Sequence, residues 1–317
     1  MAEASKLPPC VVLCGGPSEE REVSLQTGEA VTKSLRRSGA AVRMSDPPGS
    51  LDALTFADGE VAVVALHGRY GEDGGVQQEL RRRGVPYTGS HAEAAELTFD
   101  KWATRQQCDL RTAAGRLATA DSIAEWARYP CVVKPRRGGS SLRLSRVTSA
   151  EGLSPAVAKA GGAGEALIEE FVDGEEWTVA LLDAEPMAPV SVRHTGLLFD
   201  NAAKYRSPSS SFTPLSDRAD PRWSSLRRAA EEVARRTGVR GLSRADFLWT
   251  GEGDPVFLEI NTVPGMTDRS LAPLSAGEVG LSFDDLVAEC VLRAVGRGGW
   301  RLSPGDRRGL QIEGPQA

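Results

Sequence analysis

Arg244-Ala245-Asp246-Phe247-Leu248-Trp249-Thr250, then Gly251-Glu252-Gly253-Asp254, then Pro255-Val256-Phe257-Leu258-Glu259-Ile260-Asn261 reads as two strands joined by a tight turn. A four-residue loop over 251–254 sets Thr250 opposite Pro255, Asp246 opposite Glu259 and Arg244 opposite Asn261. Side chains alternate along a strand, so one face carries Ala245, Phe247, Trp249, Val256, Leu258 and Ile260, an apolar set made for a core. The other face gathers Arg244, Asp246, Glu259 and Asn261. Two carboxylates directly across a ladder lie only about 5 Å apart and repel each other, so a cation belongs between them. Oxygen-only donors from carboxylates and an amide suit Mg2+, which keeps several waters and shares its shell with substrate phosphates. The plainer alternative is a solvated hairpin face whose charges meet water. A buried apolar face opposite favours the site.

Upstream, Val132-Val133-Lys134-Pro135-Arg136-Arg137-Gly138-Gly139-Ser140-Ser141 places a lysine at the end of an apolar strand and follows it with a glycine-serine turn. A point charge beside closely spaced backbone N–H donors has the parts of a phosphate cradle. Taken alone, the turn is better explained as a plain hairpin than as a phosphate cradle. No GxxxxGK[ST] and no GxGxxG occurs, so neither a Walker A loop nor a dinucleotide fingerprint is present.

The N-terminal third has a different rhythm. Val11 to Cys14 is an apolar run ending at Gly15-Gly16, and Val23, Leu25, Ala30, Val31 and Leu35 then trace a rough helical face closed by Gly39. A second buried strand from Val61 to Leu66 stops at His67-Gly68, a helix is expected near Val76 to Arg83, and Gly84-Val85-Pro86-Tyr87 begins another strand. Such alternation argues for an open parallel α/β sheet with ligands gathered at the carboxyl ends of its strands, where His67 and the loop from Gly15 to Glu22 stand. From about residue 100 short strands take over, at Cys131 to Lys134, Leu142 to Val147, Ala166 to Phe171 and Trp177 to Leu182. Leu226, Ala229, Ala230, Val233 and Ala234 then mark an amphipathic helix ending at Gly238. Ser207 to Ser211 and Gly296 to Ala317 read as a mobile loop and a fraying tail.

The bulk numbers narrow the partners. The 317 residues suffice for two or three compact domains, and 40% hydrophobic with 26% charged is ordinary globular composition. A net charge of −5 with scattered basic residues argues against nucleic acid as the main partner. The five cysteines, with an odd count and no CxxC, fit a reduced cytoplasm rather than a disulfide framework or a zinc knuckle. No apolar run approaches a membrane span.

Together with Gly15-Gly16-Pro17-Ser18-Glu19-Glu20-Arg21-Glu22-Val23-Ser24, Leu66-His67-Gly68 to Gly74, Asp100-Lys101 and Glu259-Ile260-Asn261-Thr262-Val263-Pro264-Gly265-Met266-Thr267, these blocks resemble the ATP-grasp ligases. Within them the chain resembles the D-alanine:D-alanine ligases, from about residue 10 to residue 295. The resemblance implies an N-terminal open parallel α/β domain over 1–98, followed by the two α+β modules of an ATP-grasp fold over 99–174 and 175–317. ATP would lie between those modules. Lys101 and Lys134 would hold its phosphates, with Gly139, Ser140 and Ser141 in the covering loop. Glu169, Glu170 and Val172 would line the adenine hinge, Glu176 would meet the ribose, and Lys204 would add a further nucleotide contact.

Asp246, Glu259 and Asn261 would bind two Mg2+, or Mn2+ in their place. The resemblance also implies Glu20 on the ammonium group of the first amino acid, with His67 close to it. Arg244 and Gly265 would stabilise the reacting centre, and Ser270 with Arg244 would hold the second carboxylate. Ser140 and Tyr205 would hydrogen-bond with Glu20. The implied reaction joins two D-alanines through an acyl phosphate, for peptidoglycan precursor supply, in a cytoplasmic homodimer. Alternatives are a ligase taking D-serine or another second amino acid, and a nucleotide-binding pseudoenzyme.

Two departures stand out. Arg143 occupies a position where that family usually has glycine, and an arginine does not readily adopt φ > 0, so the loop is expected either to move differently or to gain a phosphate contact from the guanidinium. Asn201-Ala202-Ala203-Lys204-Tyr205 keeps only the end of the family's substrate-loop motif.

Overall fold

The computed structural model describes residues 7–139, 142–193, 211–251 and 253–296. Ser140, Ser141, Lys204, Tyr205, the segment 207–210 and the tail from 297 lie outside the described residues.

The N-terminal sheet is parallel, in the order β2-β1-β3, from β1 (Cys10–Leu13), β2 (Val42–Ser45) and β3 (Val61–Val64). Every residue of β1 and β3 is buried, which is why both read as unbroken apolar runs. Strand β2 escapes a periodicity reading because it is a short, half-exposed edge. The expected strand at Gly84 to Tyr87 reduces to a single parallel bridge from Tyr87 to Ala62. Proline at 86 has no N–H for a ladder, and that shortens the pairing.

Gly15 and Gly16 turn the chain from β1 into α1 (Arg21–Arg37) with φ of 83° and 75°. The positive φ favours glycine at 15, and a Cβ there would also have to displace the Asp46 carboxylate, which accepts from Gly16 N and pairs with Arg21. One face of the sheet packs on α1, and the other packs Val11, Leu13, Ala62 and Val64 against Val76 and Leu80 of α2 (Gly75–Arg82).

Next come α3 (Ala92–Phe99) and α4 (Lys101–Gln107), then an antiparallel four-stranded sheet in the order β4-β7-β5-β6. Its strands are β4 (Gly115–Leu117), β5 (Cys131–Pro135), β6 (Ser145–Val147) and β7 (Ala166–Glu170), with α5 (Ala120–Ala124) and α6 (Leu153–Lys159) between them. Val133, Ile168 and Val147 pack on α6 and Trp126 from one face. The opposite face carries Val132 and Lys134 toward the cleft.

The third sheet runs β10-β9-β8-β11-β12, from β8 (Glu175–Leu182), β9 (Glu185–Arg193), β10 (Ser211–Pro214), β11 (Leu242–Trp249) and β12 (Val256–Asn261). Helix α7 (Pro221–Thr237) begins with the Asp220 side chain accepting from Arg222 N and ends at Gly238 in the left-handed region, as its periodicity predicts. It lays Leu226, Ala230 and Val233 on Val179, Ala245 and Phe247. Helices α8 (Leu271–Glu278) and α9 (Phe283–Ala294) join the last sheet to the first, because Ala180, Leu182, Leu286 and Val291 share one core with Val12 and Val63.

The hairpin pairs Arg244 with Asn261 and Asp246 with Glu259, as the sequence predicts. Nearer the turn the register slips, pairing Phe247 with Phe257 and Leu248 with Val256. The four-residue loop and the core position of Leu258 are therefore corrected. A bulge at Leu258 rotates Phe257 into the core, 5.8 Å from the Phe247 ring, and turns Leu258 into the cleft.

Candidate active site

A cleft of about 1090 Å³ opens between the four-stranded and five-stranded sheets and is rimmed by the loop after β1. Its walls include Glu20, Lys101, Lys134, Gly139, Glu169, Glu170, Val172, Glu176, Asp246 and Glu259. Side chains from distant parts of the chain thus meet in one space.

Each is placed by a local device. The carboxylate of Asp100, almost wholly buried, accepts from the backbone N–H groups of Trp102 and Ala103 and starts α4 with Lys101 on its first turn. The same carboxylate accepts from Arg136 at 2.7 Å and Arg137 at 3.0 Å, which anchors the loop after β5 to α4. Burial pushes the Asp100 carboxyl up, but the Arg136 hydrogen bond, the Ala103 N–H and the charges of both arginines pull it below its ordinary value.

Lys101 Nζ donates to the Gly138 carbonyl and lies 3.2 Å from Glu259. Lys134 pairs with Glu169 at 2.7 Å, and Arg105, one helical turn beyond Lys101, holds the other oxygen of Glu169 at 3.1 Å. All three side chains are about nine-tenths buried, which strengthens their attraction.

Across the cleft, the Arg244 guanidinium forks onto Asp246 at 2.9 and 2.8 Å, and Thr178 Oγ1 donates to Asp246 Oδ1 at 2.6 Å. Asn261 Oδ1 accepts from Val263 N at 3.0 Å. Asp246, Glu259 and Asn261 offer hard oxygens on one face, donors of the kind a divalent ion takes together with phosphate oxygens, and Arg244 and Lys101 are the cations that pair with the two carboxylates. Among the described residues no group of three or more His, Cys, Asp or Glu is placed to hold a metal ion.

Glu20 stands at the start of α1 without capping it, so its carboxylate is not consumed by the helix end. A Cβ on Gly139 would lie 3.1 Å from that carboxylate, so the loop after β5 touches Glu20 directly. His67 does not line the cleft: its ring is buried between Thr27 Oγ1 at 3.0 Å and Glu72 at 3.5 Å, while its carbonyl accepts from Ser18 Oγ at 2.6 Å. Gly265 and Ser270 lie together after β12, where Ser270 Oγ accepts from Thr267 N at 3.0 Å, and the next residue, Leu271, lines the cleft. Glu170 pairs with exposed Arg128 at 2.7 Å.

Arg143 does adopt the left-handed region, with φ of 61°, contrary to the steric expectation. Its guanidinium meets Glu19 of the N-terminal loop. Sequence reasoning did not find Arg105 or Thr178. Arg105 had a signal in its i+4 spacing from Lys101 on one helix, and Thr178 had none, because its role depends on the pairing of β8 with β11.

Two sheets closing on a cleft lined by lysines from one side and carboxylates from the other form the ATP-grasp fold. A family model described as "D-ala D-ala ligase C-terminus" matches residues 93–292. D-alanine–D-alanine ligases of Nitrosomonas eutropha and Halorhodospira halophila are 39% and 38% identical, over 88% and 90% of this chain and 94% and 95% of theirs. The chain belongs to the D-alanine–D-alanine ligase family. Among solved structures, the D-alanine–D-alanine ligase of Bacillus anthracis complexed with ATP superposes with a TM-score of 0.76 at 26% identity, covering 92% of this chain and all of that one (100%). The D-Ala:D-Ser ligase VanG of Enterococcus faecalis shares the fold, with a TM-score of 0.78 at 23% identity over 91% of this chain and 99% of its own.

Proposed function

We propose that this chain uses ATP to join two molecules of D-alanine into D-alanyl-D-alanine, a peptidoglycan precursor. The observation that carries the reading is the juxtaposition, in one cleft, of Lys101 and Lys134 with the Asp246–Glu259 pair and of Glu20 with Gly139. Kinship with ligases that span nearly the whole chain supports it.

In this reading Glu20 binds the ammonium group of the first D-alanine and aims its carboxylate at the γ-phosphate. Lys101 and Lys134 lie along the phosphates, and Glu169, Glu170, Val172 and Glu176 take the adenosine. Asp246, Glu259 and Asn261 would hold two Mg2+, which would supply positive charge against the phosphoryl oxygens. Lys101 then exchanges its contact with Glu259 for phosphate. The first carboxylate attacks phosphorus to give an acyl phosphate and ADP, and the second amine displaces inorganic phosphate. Arg244, fixed by its fork on Asp246, stabilises the tetrahedral centre, and Ser270 helps to hold the second carboxylate. Closure over the acyl phosphate excludes water. The division at residues 98 and 174, the cytoplasmic location and the homodimer belong to the same proposal.

Mass spectrometry of products after incubation with ATP, Mg2+, D-alanine and a panel of second amino acids tests it. D-alanyl-D-alanine as the main product is expected. A mixed dipeptide as the main product, or nucleotide binding without phosphate release, would replace this reading with one of altered specificity or of a pseudoenzyme.

A further inference from the structure

The loop that leaves β5 and returns as β6 touches the N-terminal domain at two described points. At Gly139 it lies so close to Glu20 that a Cβ would stand 3.1 Å from the carboxylate. At Arg143 it forms an ion pair with Glu19, the neighbour of Glu20 in sequence. Between these two points Leu142 N donates to Gly139 O at 3.2 Å. Arg143 has φ of 61°, where glycine is the unstrained residue, so the arginine adds nothing to the backbone and only its side chain accounts for a gain. Both partners line the cleft and both are substantially exposed, at 49% and 63%.

We propose that the Arg143–Glu19 pair is a positioning contact that seats the phosphate-covering loop on the loop bearing Glu20, and so couples nucleotide binding to binding of the first amino acid. This rests on the ligase reading, in which Glu20 binds the first amino acid and that loop covers the phosphates. Each ligand orders the loop it touches, the nucleotide the β5–β6 loop and the first amino acid the loop that bears Glu20, and the pair ties the ordering of one loop to that of the other. A ligand that needs the seated loop is then helped by the other, and the help is mutual because the coupling is a single free energy shared by both sites. An exposed pair is worth little and is screened by salt, so the coupling is expected to be modest and to fade as ionic strength rises.

The test uses the full-length protein and the nonhydrolysable analogue AMP-PNP with Mg2+, titrated calorimetrically with and without D-alanine at low salt and at high salt. For the wild type, D-alanine tightens AMP-PNP binding at low salt. In Arg143→Gly and in Glu19→Arg that tightening falls by about three- to fivefold. The double variant Glu19→Arg/Arg143→Glu, which reverses the pair, recovers most of it. At high salt all four proteins converge. Arg143→Gly keeps or raises Tm because glycine relieves the left-handed backbone, so a loss of coupling cannot be laid to unfolding.

Unchanged coupling in Arg143→Gly, or a double variant no better than the single ones, overturns the proposal while leaving the ligase reading intact. A wild type that makes no dipeptide removes that reading, and this proposal with it.

Discussion

Asp100 binds four groups at once: two backbone N–H donors of α4 and the guanidinium groups of Arg136 and Arg137. Replacing it by asparagine is expected to cost about 1.5–3 kcal/mol in a urea or thermal unfolding experiment, since charge-assisted bonds to a buried acceptor are lost. Because the folded carboxyl lies below its ordinary value, its contribution is present above the unfolded pKa of about 3.9 and fades as pH falls through the lower folded value. Asp100→Asn should therefore lose less stability than the wild type between pH 5 and pH 3, and identical acid profiles would contradict an anchoring carboxylate at this position.

At the metal carboxylates, Asp246→Asn or Glu259→Gln is expected to lower kcat by about 100-fold or more in an ADP-release assay. Arg105→Ala should raise the KM for ATP by about tenfold, with Arg105→Lys recovering part of it, since Arg105 holds the Glu169 oxygen that Lys134 does not. The two carboxylates were legible because strand alternation alone puts them on one face. Arg105 was missed, because its i+4 spacing from Lys101 says nothing of its partner Glu169, 64 positions away in the chain.

The elements were legible where one periodicity ruled, as in β1, β3, α1 and α7, and illegible where pairing decided. The hairpin illustrates both cases. Its far end follows simple alternation and its near end does not, since a bulge moves the apolar duty from Leu258 to Phe257. Alternation cannot foresee an inserted residue, and here two adjacent apolar side chains made both registers plausible on hydropathy. The bulge predicts opposite outcomes for neighbours. Phe257→Ala should destabilise by about 3–5 kcal/mol in denaturant unfolding, because it empties a filled core site against Phe247. Leu258→Ala should cost well under half of that and act instead on the KM for ATP, because its side chain faces the cleft.

At the scale of the whole molecule, the five cysteines are free and buried. Burial pushes the thiols of Cys10, Cys14 and Cys108 up to about 11 and that of Cys290 to about 12. Thiolate is the reactive form, so a disulfide reagent at pH 8 should find almost none of these thiols in the native protein and all of them in denaturant. Fast native labelling would refute such burial.

The cores also differ in reach. The apolar cluster of the four-stranded sheet draws only on residues between 118 and 168, whereas the largest cluster runs without a break from β1 to α9. The chain enters the small sheet and leaves it at neighbouring places, where Phe257 N donates to Arg111 O and Glu170 N to Ala114 O, each at 2.8 Å. Mechanically the protein is a heavy anvil and a light jaw on one narrow hinge, and the teeth between them are salt bridges rather than grease. Parting jaw from anvil would leave both oily interiors shut and break instead the ion pairs of Arg105 with Glu169 and of Asp100 with Arg136 and Arg137, so largely buried charge, and not apolar packing, would set what it costs to open.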